Sequence, residues 1–170
     1  MSALMIAPPA EEPATLAEIR DWLRLDATDE DDVLTSLIAA ARLTLEGHTR
    51  RAFIAQTWRF TYASTMADGA MRLPLAPLLS VVDLRVYDAA GAPTSAAPAA
   101  IEIERDEQRP LVRLLDATLR NRAARIEVDA SLGYGPHAAD LPAPLRQAVR
   151  MLVAGWHARR GDRARTTRCA

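Results

Sequence analysis

The sequence predicts an α+β fold: N-terminal helices and a long C-terminal helix packed together, with an inserted antiparallel β unit. Three observations carry this. Apolar residues recur at helical spacing over 16–25 and 29–47, and again from Leu145 to Trp156. Over about 56–130 the period changes to two, in short runs rich in β-branched and aromatic residues. Proline and glycine clusters separate those runs.

Residues 1–14 contain Pro8, Pro9, Glu11, Glu12 and Pro13 and read as a flexible N-terminal arm. Thr15 followed by Glu18 is a capping box, so a helix begins at Leu16. Leu16, Ile19, Trp22 and Leu23 share one face, and the helix stops near Leu25. Thr28 with Asp31 is a second capping signal, and Asp29–Asp32 put negative charge where the helix dipole favours it. Val33, Leu34, Leu37, Ile38, Ala41 and Leu45 form the buried stripe of a helix over about 29–47, roughly 28 Å long. Arg42 and Glu46 pair across one turn on its outer face. Gly47 is a stop signal, although the helix can run on to Thr49.

Trp58, Phe60 and Tyr62 then alternate with Thr57, Arg59 and Thr61, as on a half-buried strand. Further strands are expected over Met71–Leu75, Leu79–Tyr87, Ile101–Ile103, Leu111–Leu115 and Arg125–Ala130, with a turn at Asp88–Gly91 and a loop over 92–100. Gly133-Tyr134-Gly135-Pro136 breaks the pattern. Asp140, Pro142 and Pro144 mark the start of the last helix, whose buried stripe is Leu145, Val149, Leu152, Val153 and Trp156, and Gly161 ends it. The expected organisation is one domain over 15–161, with a flexible basic tail over 162–170.

A chain of 170 residues is long enough to bury a sizeable core. Aromatic residues make up only 5%, so Trp22, Trp58 and Trp156 are each expected to matter to packing. The net charge is −1, but it is unevenly spread: Glu11–Asp32 is mostly acidic, whereas Arg159–Arg168 holds five arginines against Asp162. Every basic side chain is arginine, which suits a GC-rich genome and also favours bidentate contacts to carboxylate or phosphate. The lone Cys169 has no intrachain partner, and a reducing cytoplasm is expected. The N-terminus has no signal-peptide pattern, and no apolar run is long enough to span a bilayer, so no membrane association is expected.

No catalytic constellation is evident. The acidic run Asp26–Asp32 lacks the central glycine of a calcium loop, and a predicted helix occupies the place of the ligands. His48, His137 and His157 lie at no metal-ligand spacing. Gly133-Tyr134-Gly135-Pro136 lacks the lysine and hydroxyl of a phosphate loop, and no nucleophile elbow occurs. Asp83, Glu102, Glu104, Glu127 and Asp129 alternate with apolar residues and read as a solvated sheet face. An enzyme and a bound cofactor are therefore not expected. The Arg159–Arg168 cluster is the one candidate patch, suited to an acidic protein surface or, second, to phosphate; no aromatic interleaves it for base stacking.

Asp29–Asp32, Leu37-Ile38-Ala39-Ala40-Ala41-Arg42, Glu46, Thr49-Arg50-Arg51 and Gln56-Thr57-Trp58 resemble the head–tail connector (adaptor) proteins of long-tailed bacteriophages, a family that gene transfer agents share. Leu73-Pro74-Leu75, Pro77 and Ser80-Val81-Val82 resemble its strand segment, and Tyr87 and Gly91 fit the hairpin that follows. Gly133-Tyr134-Gly135, Leu141-Pro142 and Leu145-Arg146-Gln147-Ala148 resemble the start of its last helix. Trp156 with Arg159-Arg160 matches the helix end, although His157 replaces a second aromatic and the usual acid is missing. The resemblance covers about residues 15–161.

It implies a structural adaptor that forms a twelve-subunit ring between the portal protein and the next neck or tail component, a stopper or tail terminator. Double-stranded DNA would pass through without sequence specificity. Assembly would take place in the bacterial cytoplasm, and the mature location would be the neck of a virion or gene transfer agent particle. The implied portal-binding residues are Trp156, Arg159, Arg160, Arg163, Arg165 and Arg168. The charge layout fits such a ring: Asp29, Glu30, Asp32, Arg50 and Arg51 are the expected inter-subunit residues, and the acidic N-terminal region of one subunit would face a basic surface of the next. The alternatives are a nucleic-acid-binding regulator that uses the basic C-terminus, or another neck or tail-completion ring protein.

Overall fold

The computed structural model describes residues 1–65 and 67–160. It has the α+β architecture that the periodicities predict. The first capping box forms as expected: the Thr15 hydroxyl accepts from the Glu18 N–H at 3.1 Å, and the Glu18 carboxylate accepts from the Thr15 N–H at 2.9 Å. It starts α1 (Leu16–Leu23). The second helix, α2, runs Asp31–Thr49, two residues later at each end than expected. Thr28 is not its cap; Glu30 holds that position without a side-chain cap bond. Both helices end on an arginine in the left-handed region, Arg24 (φ 57°) and Arg50 (φ 54°).

Trp22 does not lie in the core, being 48% exposed. At about 100° per residue, Leu16 and Leu23 fall on one flank of the buried Ile19 and Trp22 on the other. A helix of two turns buries only one flank.

The β region forms two antiparallel sheets. Strands β1 (Ser2–Ala7), β2 (Gln56–Tyr62), β4 (Leu78–Tyr87), β5 (Pro93–Ser95) and β8 (Arg125–Leu132) make an antiparallel sheet in the order β1-β2-β8-β4-β5. Strands β3 (Ala70–Arg72), β6 (Ile101–Glu104) and β7 (Leu111–Leu114) make the second, in the order β3-β7-β6. Within the arm expected to be flexible, Ser2–Ala7 pair with β2 instead, Met5 facing Trp58. The expected loop over 92–100 contains β5 and a short 3-10 turn, Pro98–Ala100. A six-residue helix, α3 (Ala117–Arg122), was not expected; the Asp116 carboxylate caps it on the N–H groups of Thr118 and Leu119. The last helix, α4 (Ala143–Arg159), starts among the prolines as predicted.

Register explains the first core. Phe60, Val128 and Leu84 sit opposite one another on three neighbouring strands, so one sheet face is continuous and apolar. Met71, Val112 and Leu114 of the second sheet pack against it. The second core lies among the helices: Ile19, Leu34, Ile38, Val149 and Val153, with Phe53 and Ile54 from the link after α2. Ala52 belongs to the first core and Phe53 to the second, so this link joins the two.

Candidate functional site

Surfaces of opposite charge lie at the two ends of α2. At its C-terminal end the chain turns at Arg50 and is pinned by backbone bonds: the Arg50 carbonyl accepts from the Ala76 N–H at 3.1 Å, and the Ala52 N–H donates to the Ala76 carbonyl at 2.8 Å. This places Arg50 and Arg51 at an open cleft of about 650 Å³ that Arg72 and Arg109 also line. Arg72 comes from β3 and Arg109 from the β6–β7 turn. Met1 and Pro74 are the accessible apolar lining, with Leu73 and Ala76 almost wholly buried. Arg51 donates to the Tyr134 hydroxyl at 2.7 Å and lies over that ring. Among the described residues, none of the four guanidinium groups has a carboxylate within 4.0 Å. Asp106 is close enough for the charges of Arg109 and Arg72 to act on it. Its carboxylate accepts from the N–H groups of Gln108 and Arg109, and those bonds hold it below the usual aspartate range, with a smaller contribution from the charges of Arg109 and Arg72.

At the other end of α2 the surface is acidic. Asp21, Asp26, Asp29 and Asp32 are exposed and form no ion pair among the described residues. Glu30 is already engaged: His157 Nε2 lies 2.6 Å from its carboxylate and Arg160 donates to it at 2.9 Å. Those bonds, His157 first, hold Glu30 below the usual glutamate range. Of the predicted inter-subunit residues, the structure thus keeps Asp29, Asp32 and Arg50 outward, ties Glu30 to α4 and turns Arg51 partly toward Tyr134.

Trp156 is half-buried and packs against the helical core. Arg159 is exposed and donates to the Gly155 carbonyl, while Arg160 bridges to Glu30. Arg163, Arg165 and Arg168, and the stop expected at Gly161, lie outside the described residues.

The burial of two ionic groupings was missed in the sequence. Arg42 and Glu46 pair as expected, but they are buried, not on an outer face. On the large sheet, Glu127 and Asp129 are also buried, beneath Arg59, Arg85 and Arg125, rather than solvated. Arg59 makes a bidentate pair with Asp129 at 2.7 and 2.8 Å, and Arg85 adds a third bond at 2.7 Å. Burial would raise the Asp129 pKa, but these bonds and charges outweigh it and hold it below the usual range. The signal was present, since an arginine faces each carboxylate across the ladder.

Among the described residues no group of three or more metal-ligating side chains converges, and no helix is long and apolar enough to cross a membrane. What the arrangement offers is surfaces of opposite charge at the two ends of one helix.

A model of the phage gp6-like head-tail connector protein family matches residues 13–90. A chain in the structure of the virion of the native gene transfer agent particle is 32% identical, with a TM-score of 0.82, over 95% of this chain and 87% of that one. A chain in the neck of the empty particle, computed with C6 symmetry, is 30% identical, with a TM-score of 0.81, over 94% and 85%. One in the neck of the native particle, computed with C12 symmetry, is 29% identical, with a TM-score of 0.77, over 94% and 85%. The comparison with curated proteins gave no match.

Proposed function

The chain belongs to the phage gp6-like head–tail connector family and is a structural connector of a particle neck, and from that premise we propose that its copies close a twelve-subunit ring between a portal protein and the next neck component. The observation that carries this reading is the match to a gene transfer agent virion chain over 95% of the sequence. The charge layout supports it. Rings close through heterologous contacts, one surface meeting a different one, and this chain carries opposite charge at the two ends of one helix.

The portal-facing element in this reading is the end of α4. There Trp156 fixes the helix against the body, Arg159 and Arg160 lie at its tip, and Arg163, Arg165 and Arg168 follow in sequence. Arginine forks suit an acidic portal surface. The chain acts through these surfaces and not by turnover. It is made and assembled in the bacterial cytoplasm, and double-stranded DNA passes through the ring without sequence readout.

Imaging of purified particles from a strain carrying a tagged chain tests the reading. Label at the neck, and unjoined heads and tails when the gene is deleted, is the expected result. Intact necks without the chain would overturn it.

A further inference from the structure

We propose that the cleft lined by Arg50, Arg51, Arg72 and Arg109 receives the acidic turn Asp26–Asp32 of a second copy of this chain. The inference rests on the connector reading and specifies the surface by which neighbouring copies meet.

The two surfaces belong to opposite ends of α2. A helix of 19 residues holds its ends roughly 28 Å apart, so the acidic turn of a copy cannot reach that copy's own cleft. Only another molecule can bring the two together. Charge at helix ends has a simpler use, which is to complement the helix dipole. That accounts for Asp32 and Arg50. It does not account for Arg72 and Arg109, which reach the cleft from β3 and the β6–β7 turn. Nor does it account for Asp21 and Asp26, which precede α2.

The wall chemistry favours a polypeptide over a nucleic acid backbone. The accessible apolar lining of the cleft is Met1 and Pro74, Leu73 and Ala76 being almost wholly buried, and apolar groups beside arginines favour a peptide turn that brings methyl groups along with its carboxylates. The turn Asp26-Ala27-Thr28-Asp29 has that composition, and all four residues are exposed. Asp106 offsets part of the positive charge but is held by its own turn, leaving an excess of positive charge for an incoming acid. A contact of this kind repeats from copy to copy, because each molecule carries one cleft and one turn, and it closes when the rotation per step divides the circle.

The test traps the contact through uncharged neighbours of the charged residues. In a Cys169→Ser background, Thr28→Cys and Gln108→Cys are introduced together and particles are mildly oxidised. The expected result is a ladder of disulfide-linked multimers from particle necks, absent from either single cysteine variant. Adding Arg72→Glu and Arg109→Glu is expected to lower ladder yield by about tenfold or more, because like charges then meet, and Asp29→Arg with Asp32→Arg restores it. Arg72→Ala with Arg109→Ala gives the same direction with less perturbation of the fold. Necks that contain the chain but yield only monomer overturn the proposal and leave the connector reading standing. An intact ladder with reduced DNA retention in the reversal variant assigns the cleft to DNA and also overturns it. Particles whose necks lack the unmodified chain overturn both.

Discussion

Arg42 and Glu46 lie one turn apart on α2, their charged ends 3.0 Å apart, and both side chains are buried. Glu46 also accepts from the Phe53 N–H at 2.7 Å and from the Gln56 amide at 2.8 Å. Arg42 donates twice to Glu12. One ion pair therefore ties the N-terminal segment, α2, the link after it and the first residue of β2. Removing one member strands the other in a poorly solvated site. Arg42→Ala is expected to cost about 3–5 kcal/mol in denaturant unfolding. A loss below about 1 kcal/mol, the range of surface pairs, would show that water reaches the site.

The carboxylates Glu46 and Asp129 give opposite pH dependences. Burial pushes Glu46 up, more than the Phe53 N–H, Arg42 and Gln56 pull it down. A carboxyl raised on folding binds its proton more tightly in the native state. Its contribution is complete below the ordinary glutamate value and is lost as pH rises through the raised one. Asp129 is lowered on folding, so its contribution is present above the ordinary aspartate value and is lost as pH falls through the native one. Unfolding free energy measured from pH 2 to 8 should therefore change slope in both variants: Asp129→Asn flattens the acid limb, and Glu46→Gln steepens the rise from pH 4 upward. Parallel curves for wild type and variants would refute both assignments.

Substitutions at two glycines are expected to have opposite signs. Gly133 has φ +137°, and a Cβ there would lie 2.7 Å from the backbone of Ile54 and Ala55. Neither atom is a flexible side-chain end, so Gly133→Ala is expected to destabilise by about 2–4 kcal/mol. Gly47 lies within α2 with open space around a would-be Cβ, and Gly47→Ala should stabilise by about 0.5–1 kcal/mol. Thermal melts of the two variants check this directly.

What the sequence revealed depends on range. Leu34, Ile38, Val149 and Val153 were legible because a helical stripe is a local pattern. Phe60, facing Val128, was legible as alternation. The burial of Glu46 was not, because Glu12 lies 30 residues before its partner Arg42 and Gln56 reaches back ten residues to Glu46 itself. The same holds for the basic cleft: Arg50 and Arg51 stood out in sequence, but Arg72 and Arg109 join them only through the second sheet. Elements as short as β5 and α3 have too few residues to display a period.

Trp156 sets a narrower expectation than its residue type does. Full burial would make Trp156→Ala cost about 3–5 kcal/mol. The ring is only half-buried, against the helical core, so about 1.5–3 kcal/mol is expected, close to the area term without a full cavity. A conservative Trp156→Phe should recover most of it. If both variants melt like the wild type, the exposed part of the ring belongs to an interface and its packing contribution is negligible.

The C-terminal arginines can be separated by where a truncation is made. Removing 159–170 deletes Arg160 along with the tail, and with it the bond to Glu30 that joins the end of α4 to the start of α2. Loss of portal binding in that variant would then have two causes. Removing only 161–170 keeps Arg159, Arg160 and the His157–Glu30 contact. Among the described residues Trp156 is the last that packs on a core, and this shorter protein is expected to melt within about 2 °C of the full chain, a shift of under about 1 kcal/mol. In a pull-down with portal protein it should bind several-fold more weakly than the full chain and with a shallower salt dependence, because the proposed contact that it loses is made of arginine–carboxylate pairs, which salt screens. Unchanged portal binding by the 161–170 truncation would move the portal contact from the arginine tail to the body of the chain.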